Sequence, residues 1–283
     1  TDVARDASDM VLQDDDFSNI VSAVEEGRKL YLNIRNFVRY QISTNISAVL
    51  LIVITPFLFG WNLPLTVTQL LVINILMDGP PAVALGIEKR HSDVMNEPPR
   101  ELDESLPNGS DRNVILMLGI VMFLGTAVVF WFSGGGIITS GEPCTEFDGS
   151  IEENYLDANG NCVIEVWEND AQERFVKAQT MAFSVFVLFQ LFNVLNCRST
   201  DRSIFELGLF NNQAITASFL ISASLLLFFV QGAYLSIPLV GIQIGELLSV
   251  VPLQANDWLI VFATASSVFF FDEVRKLIQR SSN

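Results

Sequence analysis

The sequence predicts an all-α fold: a polytopic membrane bundle of six transmembrane helices, the first extended into a long cytoplasmic stalk. Three observations predict it. Half of the 283 residues are hydrophobic and the mean hydropathy is +0.41, too apolar for an ordinary soluble domain. The apolar residues gather into six stretches of bilayer-crossing length, near 41–60, 65–86, 113–133, 177–196, 213–234 and 257–272. Of the 16 Lys and Arg residues, 14 fall on one side of that six-span path. The two exceptions, Arg174 and Lys177, belong to a loop with ten acidic residues. Excess Lys and Arg mark cytoplasmic segments, so both termini are expected in the cytoplasm. Trp61, Trp131 and Trp258 each fall at an expected outer span end, where interfacial aromatics collect. The net charge of −16 and the lipid-facing composition lead to the bilayer, not nucleic acid, as the expected partner.

The elements follow in order. Residues 1–16 read as a short soluble end in which SDMVLQ is a strand-like run before three aspartates. Asp15 or Asp16 is placed to cap a helix beginning near Phe17. No proline interrupts that helix before Pro56, so the stalk (17–40) is expected to run straight into the first span. The alternative is a break near Gly27. The connector 88–112 is polar, and the third span carries no ionisable residue and reads as lipid-facing. The loop 135–175 is the one sizeable extracytoplasmic piece and holds Cys144 and Cys162, an expected disulfide on the oxidising side. Residues 157–168 approach calcium-loop spacing, but Cys162 stands where the sharp turn wants Gly. The fourth span carries Gln190, Asn193 and Asn196 at spacings of three, a polar stripe that must face protein. The fifth and sixth spans read as scaffold, with Asp272 and Glu273 in surface pairs with Arg275 and Lys276.

The chemistry concentrates in the second span, QLLVINILMDGPPAVALGI over 69–87. Asn74 and Asp78 are four apart and would share one face of a regular helix. An acid near the bilayer centre costs about 3 kcal/mol even on gentle insertion scales, so it requires a partner. Pro80 and Pro81 lack backbone donors and leave carbonyl oxygens of the preceding turn free. A carboxylate, an amide oxygen and spare carbonyls form a hard-oxygen cation site of the kind calcium or manganese prefers. Asn45 in the first span is the expected second contributor. The competing reading is a structural kink whose acid caps a neighbour.

Residues beyond this pair carry a family resemblance. TDVARDASDMVLQDDDFSNIVSAVEEGR, the stalk NIRNFVRYQISTN, then NILMDGPPAVALGIE and NEPPR resemble the C-terminal part of P-type calcium-transporting ATPases. The resemblance runs continuously over 1–110, is in register at 178–200, and is topological beyond. It implies that 1–16 end the phosphorylation domain, 17–40 are a stalk, and 41–283 are the last six of ten transmembrane helices. It also implies the partners: the actuator, nucleotide and phosphorylation domains and the first four helices, where ATP and Mg2+ act.

The resemblance further implies one transported ion. Two-ion calcium pumps have a Glu where this chain has Ala48, a Thr where it has Met77 and a Glu where it has Gln190, whereas Asn45, Asn74 and Asp78 match. The chain is therefore most similar to secretory-pathway and plasma-membrane calcium pumps. The cargo implied is Ca2+, with Mn2+ permitted, and protons returning on Asp78. A proton or sodium pump of the same class, and a passive channel or secondary transporter, are the alternatives. The membrane implied is the plasma membrane in a prokaryote and a Golgi-type membrane otherwise. The residues that the family phosphorylates are absent, so the chain is expected to be a piece of the pump.

Overall fold

The computed structural model describes residues 2–12, 16–88, 94–96, 98–99, 106–135, 164–200, 202–208, 211–236 and 243–282, with the backbone alone at 164–171 and 282. Among these residues the architecture is helical throughout. Five helical segments are long and apolar enough to cross a membrane: 17–59, 67–86, 109–135, 172–196 and 213–231. The sixth expected span lies within the 28-residue helix α10 (Ala255–Ser282). It falls outside those five, because Asp257 and Asp272 bracket its apolar run.

The chain enters through a five-residue helix, α1 (Asp2–Asp6). The strand expected at SDMVLQ does not form: residues 8–12 are irregular. With no neighbouring strand to pair with, an isolated strand has nothing to satisfy its backbone. Helix α2 (Phe17–Phe59) then runs unbroken for 43 residues, on the order of 65 Å. Asp16 caps it, its carboxylate accepting from the Ser18 N–H at 2.9 Å, and this bond holds the carboxyl below its ordinary range. No break occurs at Gly27. Gly60, at φ 65°, closes the helix, donating to Pro56 O while Trp61 N reaches back to Thr55 O.

The return span is composite. Helix α3 (Val67–Val72) opens with a capping box between Thr66 and Gln69, passes into a π-turn over Ile73–Met77, and resumes as α4 (Gly79–Gly86). Helix α5 (Gly109–Phe130) follows, then α6 (Ile164–Asn196), α7 (Ile204–Leu207), α8 (Gln213–Gln231), α9 (Ile244–Leu248) and α10. The central pillar is α6: 94% of its apolar window is buried, against 28% for those of α2 and α8. Phe183, Phe186, Phe189 and Leu191 form its core contacts with Leu118, Met122 and Phe130 of α5 and Val261, Ala265 and Val268 of α10. At Gly125, α5 passes close enough to α6 that a Cβ would collide with the Phe189 ring. Trp61 and Trp131 stack with ring centroids 6.4 Å apart, which places the two expected outer ends together.

Two expectations are corrected by packing. Helix α5 faces lipid on one side only: Leu116, Ile120, Leu124 and Val128 are exposed, while Val114, Leu118, Met122 and Thr126 are buried along the opposite face. Asp272 and Lys276 are not surface residues. They are 0% and 2% exposed and paired at 2.9 Å, with Arg275 Nε on Asp272 Oδ1 at 2.7 Å. Glu273 accepts from Ser203 Oγ and, at 3.2 Å, from Ile204 N, so α10 holds the start of α7. Arg280 adds an exposed bidentate bridge to Glu206 at 2.6 and 2.8 Å, which holds that carboxyl below its usual range.

A charge clamp joins α2 to α5. Asn108 caps α5 through Asp111 N, and the Asp111 carboxylate takes Arg35 Nε at 2.6 Å and Nη2 at 3.1 Å. Arg39, fully buried, stands 3.7 Å from the same carboxylate, and its guanidinium has no hydrogen bond among the described residues. Asp111 is thus the counter-charge for a guanidinium with nowhere else to turn. Replacing it with Ala is expected to destabilise the bundle by about 3–5 kcal/mol, the usual result of leaving a buried charge alone. Thermal unfolding in detergent checks this; an unchanged midpoint would show that the clamp does not support the fold.

Candidate functional site

The site is built where the return span breaks. Asp78 N–H donates to Ile73 O at 2.9 Å, five residues back, so the turn before it holds one residue more than an α-helical turn. Pro80 and Pro81 occupy the first turn of α4, where a missing N–H does least harm. Their i−4 carbonyls, on Leu76 and Met77, consequently receive no helical donor. The Met77 carbonyl has the Ser222 hydroxyl of α8 at 3.5 Å.

Asp78 is 3% exposed and points into the bundle, not toward lipid. Its Oδ1 accepts the Tyr40 hydroxyl of α2 at 3.0 Å. Its Oδ2 is buried without a hydrogen-bond partner among the described residues. An acid with one oxygen tied and the other bare, beside carbonyls without helical donors, offers part of a hard-oxygen set.

The other expected contributors lie differently. Asn74 is exposed, because the wider π-turn rotates it away from the face that Asp78 occupies. Their four-residue spacing therefore does not place them on one face. Asn45 is exposed as well, on the face of α2 that also carries Val49, Ile52 and Val53. Neither amide makes a hydrogen bond among the described residues. The sequence thus brings Asp78 inward and leaves Asn45 and Asn74 on an open, otherwise apolar flank.

The three positions read as a lost second site are accounted for individually. Ala48 packs against the core, Met77 is fully buried within it, and Gln190 is 1% exposed with its Oε1 unbonded. Asn193 donates to Ser43 Oγ at 2.8 Å and Asn196 to Val268 O at 3.0 Å, so the amide stripe of α6 faces protein. Cys197 is a buried free thiol, while Cys144 and Cys162 and their expected disulfide lie outside the described residues.

Tyr40 is the functional residue that sequence reasoning missed. Its signal was present: Tyr40, Ser43, Thr44 and Ser47 recur at three- and four-residue spacing on the buried face of α2. Asn45 lies two positions from both Ser43 and Ser47, about 200° around the helix from each.

Fold and site together define a multi-pass α-helical membrane protein built around a buried acid at a helix break. The family described as "Cation transporting ATPase, C-terminus" matches residues 62–278, and the chain belongs to it. Similar proteins include "Calcium-transporting ATPase type 2C member 2" of Rattus norvegicus, 37% identical over 280 residues, which cover 99% of this chain and 25% of that protein. "Calcium-transporting ATPase 1" of Schizosaccharomyces pombe is 34% identical over 280 residues, 99% of this chain and 26% of the relative. "Calcium-transporting ATPase 1" of Saccharomyces cerevisiae is 35% identical over 283 residues, 100% of this chain and 25% of its own length. The chain spans about a quarter of the length of these relatives.

Replacing Tyr40 with Phe keeps the ring and strips Asp78 Oδ1 of its hydroxyl donor. A buried charged acceptor left unsatisfied is expected to lose about 1–3 kcal/mol of stability. Thermal unfolding in calcium-free detergent solution measures it, and wild-type stability would mean the bond contributes nothing.

Proposed function

We propose that this chain is the C-terminal quarter of an ATP-driven P-type pump that exports Ca2+ from the cytoplasm, one ion per cycle. The observation that carries the reading is Asp78, buried at a π-turn with one oxygen held by the stalk helix and the other bare. The names of the relatives support calcium as the cargo. ATP and Mg2+ act through the remaining three quarters of the pump: the phosphorylation, nucleotide and actuator domains and four further helices.

Asp78 supplies the charge and the freed carbonyls of its break supply neutral oxygens. Asn45 and Asn74 stand on the open flank, apart from Asp78, and join the shell only in a conformation that turns them toward it. Ala48, Met77 and Gln190 offer a second ion no carboxylate. A set of oxygen ligands also admits Mn2+. Once the ion has left, protons neutralise Asp78 for the return, giving proton counter-transport.

The topology proposed has six crossings with α10 as the last, and residues 1–16 ending the phosphorylation domain on the cytoplasmic side. The distribution of Lys and Arg supports that orientation. Head movement reaches the site through α2, whose single rod carries Tyr40 against Asp78.

Two measurements test the reading in the full-length pump. Asp78→Asn is expected to abolish calcium-dependent phosphorylation, and normal dependence would refute the ligand role. Calcium uptake into vesicles is expected at one ion per ATP hydrolysed; a ratio near two would restore the second site. Stimulation of phosphorylation by sodium, or by acid alone, in place of calcium would favour a sodium or proton pump.

A further inference from the structure

We infer that Glu88, with Asn33 and Arg198, is a coupling joint: it ties the stalk to the cytoplasmic end of the helix that bears Asp78. The inference rests on the pump reading and concerns residues outside the ion site. Glu88 follows α4 and is 8% exposed. Every acceptor it has is taken. Its Oε1 receives Arg198 Nη2 at 2.8 Å and Nε at 3.2 Å, and its Oε2 receives the Asn212 amide. Its backbone carbonyl receives Asn33 Nδ2 at 3.0 Å, and the same amide reaches Gly86 O at 3.1 Å.

The partners close a ring through four helices. Asn33 and Asn36 are on α2; Asn36 donates to the Arg198 carbonyl at 2.9 Å. Arg198 stands in the turn after α6 and fixes its remaining arm on Gly208 O at 2.9 Å. Asn212 is also the cap of α8, its Oδ1 accepting Ala214 N at 2.8 Å and Ile215 N at 3.2 Å. One carboxylate thus meets the base of the central pillar, the cap of α8 and, through its own backbone, the stalk.

A joint, not mere packing, is indicated by the space beside it. A groove of about 370 Å³ lies between stalk and α4, lined by Glu26, Lys29, Leu30, Asn33, Gly86, Ile87 and Glu88. Where apolar contact is thin, directional bonds must transmit the displacement. Asn33 and Tyr40 are seven residues apart on one rod, about 10 Å, and their α4 partners occur in the opposite chain order. The stalk therefore grips the return span at two levels, and Glu88 anchors the outer one to the pillar. Without that anchor, stalk motion would drag α4 whole instead of working Asp78 against a fixed end.

The test uses the full-length pump carrying Glu88→Gln or Asn33→Ala, reconstituted in vesicles. Each is expected to retain calcium-dependent phosphorylation, with the calcium needed for half-maximal phosphorylation within about tenfold of wild type (about 1.4 kcal/mol). Calcium moved per ATP hydrolysed is expected to fall toward zero. Glu88→Gln leaves Arg198 buried without its counter-charge and is at risk of not folding. Asn33→Ala removes no charge and decides the matter alone. A wild-type transport ratio in Asn33→Ala overturns the joint, as does loss of its calcium dependence, which would place Asn33 in the ion site. If wild-type phosphorylation instead answers to another cation, the calcium reading fails and the same ratio is measured for that cation.

Discussion

Everything in this bundle answers to one constraint: a carboxylate placed where lipid would otherwise be must find its oxygen-bonding partners inside the protein. A regular helix through 67–86 would satisfy its backbone and leave Asp78 to chance. The π-turn and the two prolines do the reverse. They loosen the backbone locally and turn the acid inward, where the Tyr40 hydroxyl meets it. Backbone carbonyls freed by that break are the neutral half of any cation shell, so the irregularity and the binding chemistry have one cause.

The rest of the fold divides into a rigid part and an open part. The rigid part is α6 with α5 and α10, packed through phenylalanines and closed at one end by Asp272, Lys276 and Arg275. The open part is α2 with the α3–α4 span, whose outer flank exposes Asn45, Asn74, Val49, Ile75 and Val83. The proposed ion cycle would use both: a fixed wall, and a neighbour free to shift against it.

Much of this was legible in the sequence because it depends on composition or on a fixed period. The apolar stretches, the unbroken α2, the Asp16 cap and the buried amide stripe of α6 are local properties. The turn at Gly79, Pro80 and Pro81 was also visible, but its consequence for Asn74 was not. A pattern of residues does not say whether a helix closes on i−4 or i−5, and that single choice separates Asn74 from the face of Asp78. Tyr40 was hidden differently: an aromatic in an apolar helix reads as filling until a partner 38 positions away is known. The strand expected at SDMVLQ failed because a short alternating run has no meaning without a sheet to join.

The charge pairs show the same limit and a reason for it. Arg39 with Asp111 and Arg198 with Glu88 join residues far apart in the chain, and in the sequence each reads as an ordinary cytoplasmic charge. The excess of Arg and Lys that sets topology is thus partly withdrawn from the surface. Arg39 and Arg198 are fully or almost fully buried, where each fixes a helix end against a carboxylate. The buried arginines become rivets of the folded bundle. A buried pair of this kind resists the loss of either member far more than it stabilises the whole. Such a pair defines position more than it strengthens, and position is what keeps the Tyr40 hydroxyl of α2 on Asp78.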